Sequence, residues 1–204
     1  MTVKLYHGDL PDDIKFSGPV AVDTETLGLK PHRDRLCLVQ LSGGDGNAIL
    51  VQIAQNQASA PNLKKLMEDA SNIKIFHFAR FDVAVLKHYL DINVRPVYCT
   101  KIASKLVRTY TDRHGLRDIC KELLQVDLSK QQQSSNWGAD ELSQAQQEYA
   151  ASDVLHLHRL MSRLDVMLER AGRRELARKC FEFLPTRAEL DLAGWDDTDI
   201  FAHS

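Results

Sequence analysis

The chain has 204 residues, 44% hydrophobic and 26% charged, with a formal net charge of −2, a balance ordinary for a globular protein with a sizeable core. That length suits one domain over residues 1–204 better than two small ones. The near-neutral charge excludes a protein that coats long nucleic acid by bulk electrostatics, yet permits a local basic cleft or acids masked by metal ions.

The opening residues, MTVKLYHGDLPDD, lack the basic start and apolar run of a signal peptide. No apolar stretch reaches the roughly 18 residues that cross a bilayer, and Cys37, Cys99, Cys120 and Cys180 form no C-x-x-C pair. The expectation is a cytoplasmic protein with no membrane association and reduced, mostly buried thiols. Apolar alternation and β-branched residues then predict strands over Pro19 to Asp23, Leu36 to Ser42 and Ala48 to Ile53. The Gly43-Gly44-Asp45-Gly46-Asn47 run between the last two is a hairpin signal. A helix starting near Pro61-Asn62 leads to a strand over Ile73 to Phe78, and helical spacing follows over Phe81 to Tyr89, Thr100 to Val107 and Leu116 to Leu124. Beyond an aperiodic polar stretch from Asp127 to Asp140, one long helix is expected over Ser143 to Arg170 and a shorter one over Arg174 to Phe183. The last segment, 184–204, is acidic and expected to be loop-like. Strands first and helices later predict an α/β fold, a mixed β-sheet flanked by α-helices.

Three acidic features carry chemistry. Asp23 stands where the first predicted strand ends, and Asp-x-Glu on extended chain turns Asp23 and Glu25 to one face. Two carboxylates held together repel unless a cation lies between them, and hard divalent ions want that oxygen set. Asp82 follows the Ile73 to Phe78 strand at the start of a helix, where an acid also serves as a dipole partner. Tyr149 and Asp153, four apart, share one helical face with Leu157 and Leu160, so that face is expected to point inward.

Asp23-x-Glu25, Asp82 and Tyr149-x-x-x-Asp153 together resemble the three motifs of the DEDD exonuclease superfamily, in its tyrosine-containing branch, whose fold is ribonuclease H-like. The stretches KQQQSSNW (residues 130–137) and YAASDVLHLHRL resemble the ribonuclease D group. DTETLGLKPHRDRLCLVQLS, FHFARFD and the ending DIFAHS resemble its compact nano-ribonuclease C type. The resemblance implies a 3′-to-5′ exonuclease with five catalytic residues, Asp23, Glu25, Asp82, Tyr149 and Asp153. It also implies two divalent cations, Mg2+ or Mn2+, held by the four carboxylates. Asp23 would bridge the ions, Glu25 and Asp153 would complete the first, and Asp82 would support the second. With a phenol pKa near 10, Tyr149 suits orienting water better than abstracting its proton. No room is expected for the helical RNA-binding domains of ribonuclease D proper.

The same resemblance implies short RNA, especially dinucleotides such as pGpG, as substrate, and a homo-oligomer, most plausibly an octamer. Leu29 is expected to wedge between two bases or to pack in the core. Thr26, His77, Phe78 and Arg80 are candidate contacts for sugar, base or phosphate. For His77 a satisfied buried histidine, and for Arg80 a solvated side chain, remain equal readings. Lys130, Gln133 and Ser134 are expected to grip the substrate from a loop that Trp137 anchors. The basic run of Lys101, Lys105, Arg108, Arg113, Arg117 and Lys121 reads as a solvated helix face. Trp195 and Phe201 are expected to dock segment 184–204 onto a neighbouring subunit or onto the chain's own body. A general RNA or DNA 3′ exonuclease without a length limit is the alternative, and a silent binding scaffold of the same fold is the third reading.

Overall fold

A computed structural model describes residues 2–129, 131–132 and 134–203. Among these residues six strands form one sheet: β1 (Val3–His7), β2 (Val20–Thr26), β3 (Leu36–Ser42), β4 (Ala48–Gln52), β5 (Lys74–Phe76) and β6 (Val97–Cys99). Their spatial order is β1-β4-β3-β2-β5-β6. The β4–β3–β2 core is antiparallel, and β1, β5 and β6 add parallel strands outside it. Among the described residues the helices are α1 (Pro61–Glu68), α2 (Ala79–Leu90), α3 (Thr100–Val107), α4 (Leu116–Leu124), α5 (Gln144–Leu155), α6 (Leu157–Arg170) and α7 (Arg174–Leu192). The mixed sheet flanked by helices matches the α/β expectation.

The continuous apolar run of β3, buried at every position, marks a strand covered on both faces. Three differences from the sequence expectation have physical causes. First, β2 does not end at Asp23 but runs on to Thr26, with a register shift between Glu25 and Thr26. Asp23 is therefore a strand-interior acid, not a rim residue. Second, the predicted Ser143 to Arg170 helix is two helices meeting at His156. Third, α7 passes through Pro185 and ends at Leu192, so the first part of segment 184–204 is helix rather than loop. Proline forfeits one backbone bond and strains the preceding turn. Here the buried face Phe181, Leu184, Ala188 and Asp191 keeps its 3-4-3 spacing across the proline and packs against α2, which offsets the loss. The short strands β1 and β6, of five and three residues, were not expected. Cys37, Cys99 and Cys120 are buried, Cys180 is half-buried, and all four are free. No helix among the described residues is long and apolar enough to cross a membrane.

Candidate active site

β2 supplies two acids to one face, and α5 supplies the residues above them. Alternation along β2 turns Asp23 and Glu25 the same way, while α5 begins at a Ser143–Gln146 capping box that fixes its first turn over the sheet. Small Ala150 and Ala151, fully buried, let α5 approach closely, and Tyr149 and Asp153 descend beside the β2 acids. Ligand atoms of Asp23, Glu25 and Asp153 lie within 4.8 Å of one another. Asp82, in the first turn of α2 and buried, is not one of that group of three but lies near enough for its charge to act on Asp23 and Glu25, and its Oδ1 accepts a hydrogen bond of 2.7 Å from the Thr24 hydroxyl.

Electrostatics follow from that crowding. Burial, then Asp82, Asp153 and Glu25, holds the Asp23 carboxyl well above the usual carboxylate range. Burial, then the charges of Asp153 and Asp82, pushes Glu25 up to about 9. Asp82 and Asp153 rise to about 7, mainly through burial, with the Thr24 and Tyr149 hydroxyls working in the opposite direction. Burial, then Asp153 and Glu25, holds the Tyr149 phenol protonated well above its ordinary range. Four all-oxygen donors that cannot share negative charge fit a hard divalent cation.

Asp23, Tyr149 and Asp153 open onto a cavity of about 280 Å3 that His77, Lys101 and Arg117 also line. His77 Nδ1 lies 2.9 Å from the Thr100 hydroxyl, while its enclosed Nε2 has no partner among the described residues. Burial, then the charge of Lys101, pushes this imidazole down to about 3, so it stays neutral at physiological pH. The solvated-face reading fails for Arg108. Its side chain is fully buried, pairs with Glu122, and donates to the Ser104 hydroxyl at 2.9 Å and the Arg113 carbonyl at 2.7 Å. It fixes the α3–α4 connection, which leads into the first turn of α4 where Arg117 lines the cavity.

The remaining candidates divide. Leu29 is 84% exposed, which removes its core-packing reading. Gly28 keeps its turn tight, since a Cβ there would come within 2.2 Å of Asp34 Oδ2. Phe78, 44% exposed, caps α2 with φ 74 and carries Lys101 Nζ at 4.3 Å from its ring centre. A bulky residue in the left-handed region is strained, a feature that collects at functional sites. Leu29, Phe78 and Arg80 line a second cavity of about 220 Å3. Arg80 is not solvated. It forms a bidentate pair with Asp191 at 2.5 and 2.7 Å and donates to the Asp196 carbonyl at 2.6 Å. Thr26 is engaged with the Gly28 carbonyl, holding the turn that presents Leu29. Ser134 is exposed in its loop, whereas Lys130 and Gln133 lie outside the described residues. Trp137 is 2% exposed against Leu38, Leu50 and Tyr149, the anchor expected of it. Sequence reasoning missed Thr24, for which no signal existed, and Gln40, a lone amide inside an apolar strand.

Sheet order and carboxylate set together define the class, an exonuclease-type α/β fold with an acidic centre. The family described as 3′-5′ exonuclease matches residues 9–169, and the chain belongs to that family. Ribonuclease D of Gluconacetobacter diazotrophicus is 33% identical over 154 residues, covering 76% of this chain and 39% of that protein. DNA polymerase I of Aquifex aeolicus is 36% identical over 147 residues, covering 72% and 24%. The chain thus spans about two-fifths of the length of the ribonuclease D relatives it matches. Among solved structures, Brucella melitensis NrnC with bound Mg2+ is 61% identical with a TM-score of 0.95, and the same protein bound to pGG is 62% identical with a TM-score of 0.96. Each match covers 100% of both chains. Escherichia coli RNase D is 25% identical with a TM-score of 0.73, covering 84% of this chain and 45% of that one.

Proposed function

We propose that the chain is a metal-dependent 3′-to-5′ exoribonuclease that hydrolyses very short RNA, dinucleotides above all, to nucleoside 5′-monophosphates. The observation that carries this reading is the meeting of Asp23, Glu25 and Asp153 within 4.8 Å, beside Tyr149 in one cavity. Asp23, Glu25 and Asp153 would hold one divalent cation, and Asp23 with Asp82 a second, either Mg2+ or Mn2+. Bound there, the ions neutralise the phosphodiester and lower the pKa of the attacking water. The chain's own groups do the rest. Thr24 holds one Asp82 oxygen, which leaves the other for the metal side. The Tyr149 phenol orients the water as a hydrogen-bonding group, since a phenol with an ordinary pKa near 10 is already a poor free base at neutral pH.

Substrate contacts fall to the exposed Leu29 as a wedge between two bases, and to Phe78 as a stacking face. His77 and Lys101, which line the acidic cavity, would meet the sugar and the phosphate, whereas Arg80, held by Asp191 and the Asp196 carbonyl, lines the Leu29 cavity rather than contacting phosphate. Support for dinucleotides comes from the similarity to Brucella NrnC bound to pGG. The exposed Phe183, Trp195, Ile200 and Phe201 support docking of the C-terminal segment in a homo-oligomer, with an octamer as the expected size and light scattering as its measure. The free cysteines suit the cytoplasm.

A time course with Mg2+ and 5′-labelled RNAs of two, three, seven and twenty nucleotides, with matching DNA, tests the function. Rapid loss of dimers with longer chains persisting supports it. An even ladder from the longest RNA or DNA favours the general exonuclease, and no cleavage favours the scaffold.

A further inference from the structure

Gln40 lies in the middle of β3 and is fully buried, yet neither its side-chain amino group nor its carbonyl has a partner among the described residues. An amide unsatisfied at both ends costs stability that an apolar side chain of the same shape would not, so its presence calls for a partner in the working protein. Strand pairing limits the choice. Gln40 stands opposite Asp23 in the β2–β3 register and opposite Leu50 in the β3–β4 register. Opposed side chains of antiparallel strands share a face, with Cβ atoms about 4.5–5.5 Å apart. Leu38 and Ser42, two residues away on β3, share that face too.

Leu38 and Leu50 offer no polar atom. The Ser42 hydroxyl is engaged, donating to the Asn47 carbonyl at 2.7 Å and accepting from the Gly44 N–H at 3.3 Å. Diagonally placed Gln52 turns its amino group to the Ala139 and Asp140 carbonyls at 2.8 and 3.3 Å. The face is closed above by α5, whose Ala150 packs with Leu38 and Leu50. Gln52 keeps its Oε1 without a partner among the described residues but stands on the diagonal, so Asp23, directly opposite, is the nearer polar neighbour.

We infer that Gln40 is a positioning residue for the acidic centre: its amino group donates to the Asp23 carboxylate in the metal-loaded protein. Such a partner fixes a ligand's orientation, and losing one lowers metal affinity about ten- to a hundredfold. The inference rests on the metal-centre reading above and deepens it.

The test is Gln40→Met, apolar and of similar length, titrated with Mn2+ by calorimetry on the full chain without substrate. The expected result is an affinity ten- to a hundredfold weaker, an unchanged or higher melting temperature in EDTA, and a lost kcat that returns at high metal concentration. Affinity within twofold of wild type overturns the inference, and would mean that internal waters satisfy Gln40, Gln52 and Trp137 instead. A wild-type protein that takes up no Mn2+ overturns the metal-centre reading itself, a distinct failure. Should the variant not fold, glutamine-labelled wild type serves. The Gln40 side-chain amide resonances must shift on adding Mg2+, and their standing still refutes the assignment.

Discussion

Asp153→Asn should make the metal-free protein more stable while destroying its activity. In the folded chain Asp153 is raised from 3.8 to about 7, chiefly by burial. An acid whose folded pKa lies above its unfolded value costs nothing below pH 4, a growing amount between pH 4 and 7, and the full amount above pH 7. At about 1.4 kcal/mol per unit, a rise of about three units is worth about 4 kcal/mol at pH 8 and under half that at pH 5. Asparagine keeps the shape, carries no charge, and relieves the repulsion felt by Asp23 and Glu25. A chain of this size moves about 2–4 °C per kcal/mol. The melting midpoint in EDTA should therefore rise on the order of 10 °C at pH 8 and much less at pH 5. Differential scanning fluorimetry at both pH values, with and without Mg2+, reads this directly. Mg2+ should raise the wild-type midpoint and leave the variant almost unmoved. A variant less stable than wild type at pH 8, or a gain independent of pH, would refute the account of the acidic centre as a site of stored repulsion.

Other perturbations separate the remaining roles. Asp23→Ala should abolish turnover with the fold intact by circular dichroism, whereas Tyr149→Phe should cut kcat about a hundredfold or more and leave calorimetric Mn2+ affinity near wild type. Leu29→Ala removes a side chain that is 84% exposed, so stability should change by less than about 0.5 kcal/mol while KM for dinucleotides rises in steady-state assays. Arg80→Ala breaks the bidentate pair with Asp191 but leaves Arg187 2.9 Å from that carboxylate. The expected loss is about 2 kcal/mol in urea melts, with faster proteolysis of the segment after Leu192.

The acidic centre was legible in part because two acids stood where apolar patterning made a charge anomalous: Asp23 closed a strongly apolar predicted strand and Asp153 shared a helical face with leucines, whereas Asp82 read equally well as a dipole partner at a helix start. β1 and β6 were not legible, since strands of five and three residues acquire their pairing from β4 and β5 rather than from any pattern of their own. The end of α7 was misplaced for a related reason: the acidic, loop-like composition after Phe183 gives no sign of the packing against α2 that carries the helix on to Leu192. Arg108 looked like part of a solvated run because a run of charges says nothing about which member folds inward to meet Glu122.

What the sequence could not convey is how α2 joins two distant parts of the chain. Arg80 and Asp82 sit in its first turn, two residues apart, so they leave the helix in different directions. Arg80 grips Asp191 at the end of α7 and the Asp196 carbonyl beyond it, and Lys30, next to Leu29, reaches Asp196 at 3.3 Å. Asp82 turns to Thr24 and the acidic centre. A rigid helical turn therefore ties the C-terminal segment to one carboxylate of the centre, and that segment is tied in turn to the loop presenting Leu29. The strained Phe78 cap sits at the same junction. Loosening the segment after Leu192 should for this reason be felt twice, in the placement of Leu29 against the substrate and in the aim of Asp82 at the centre, although neither residue belongs to it.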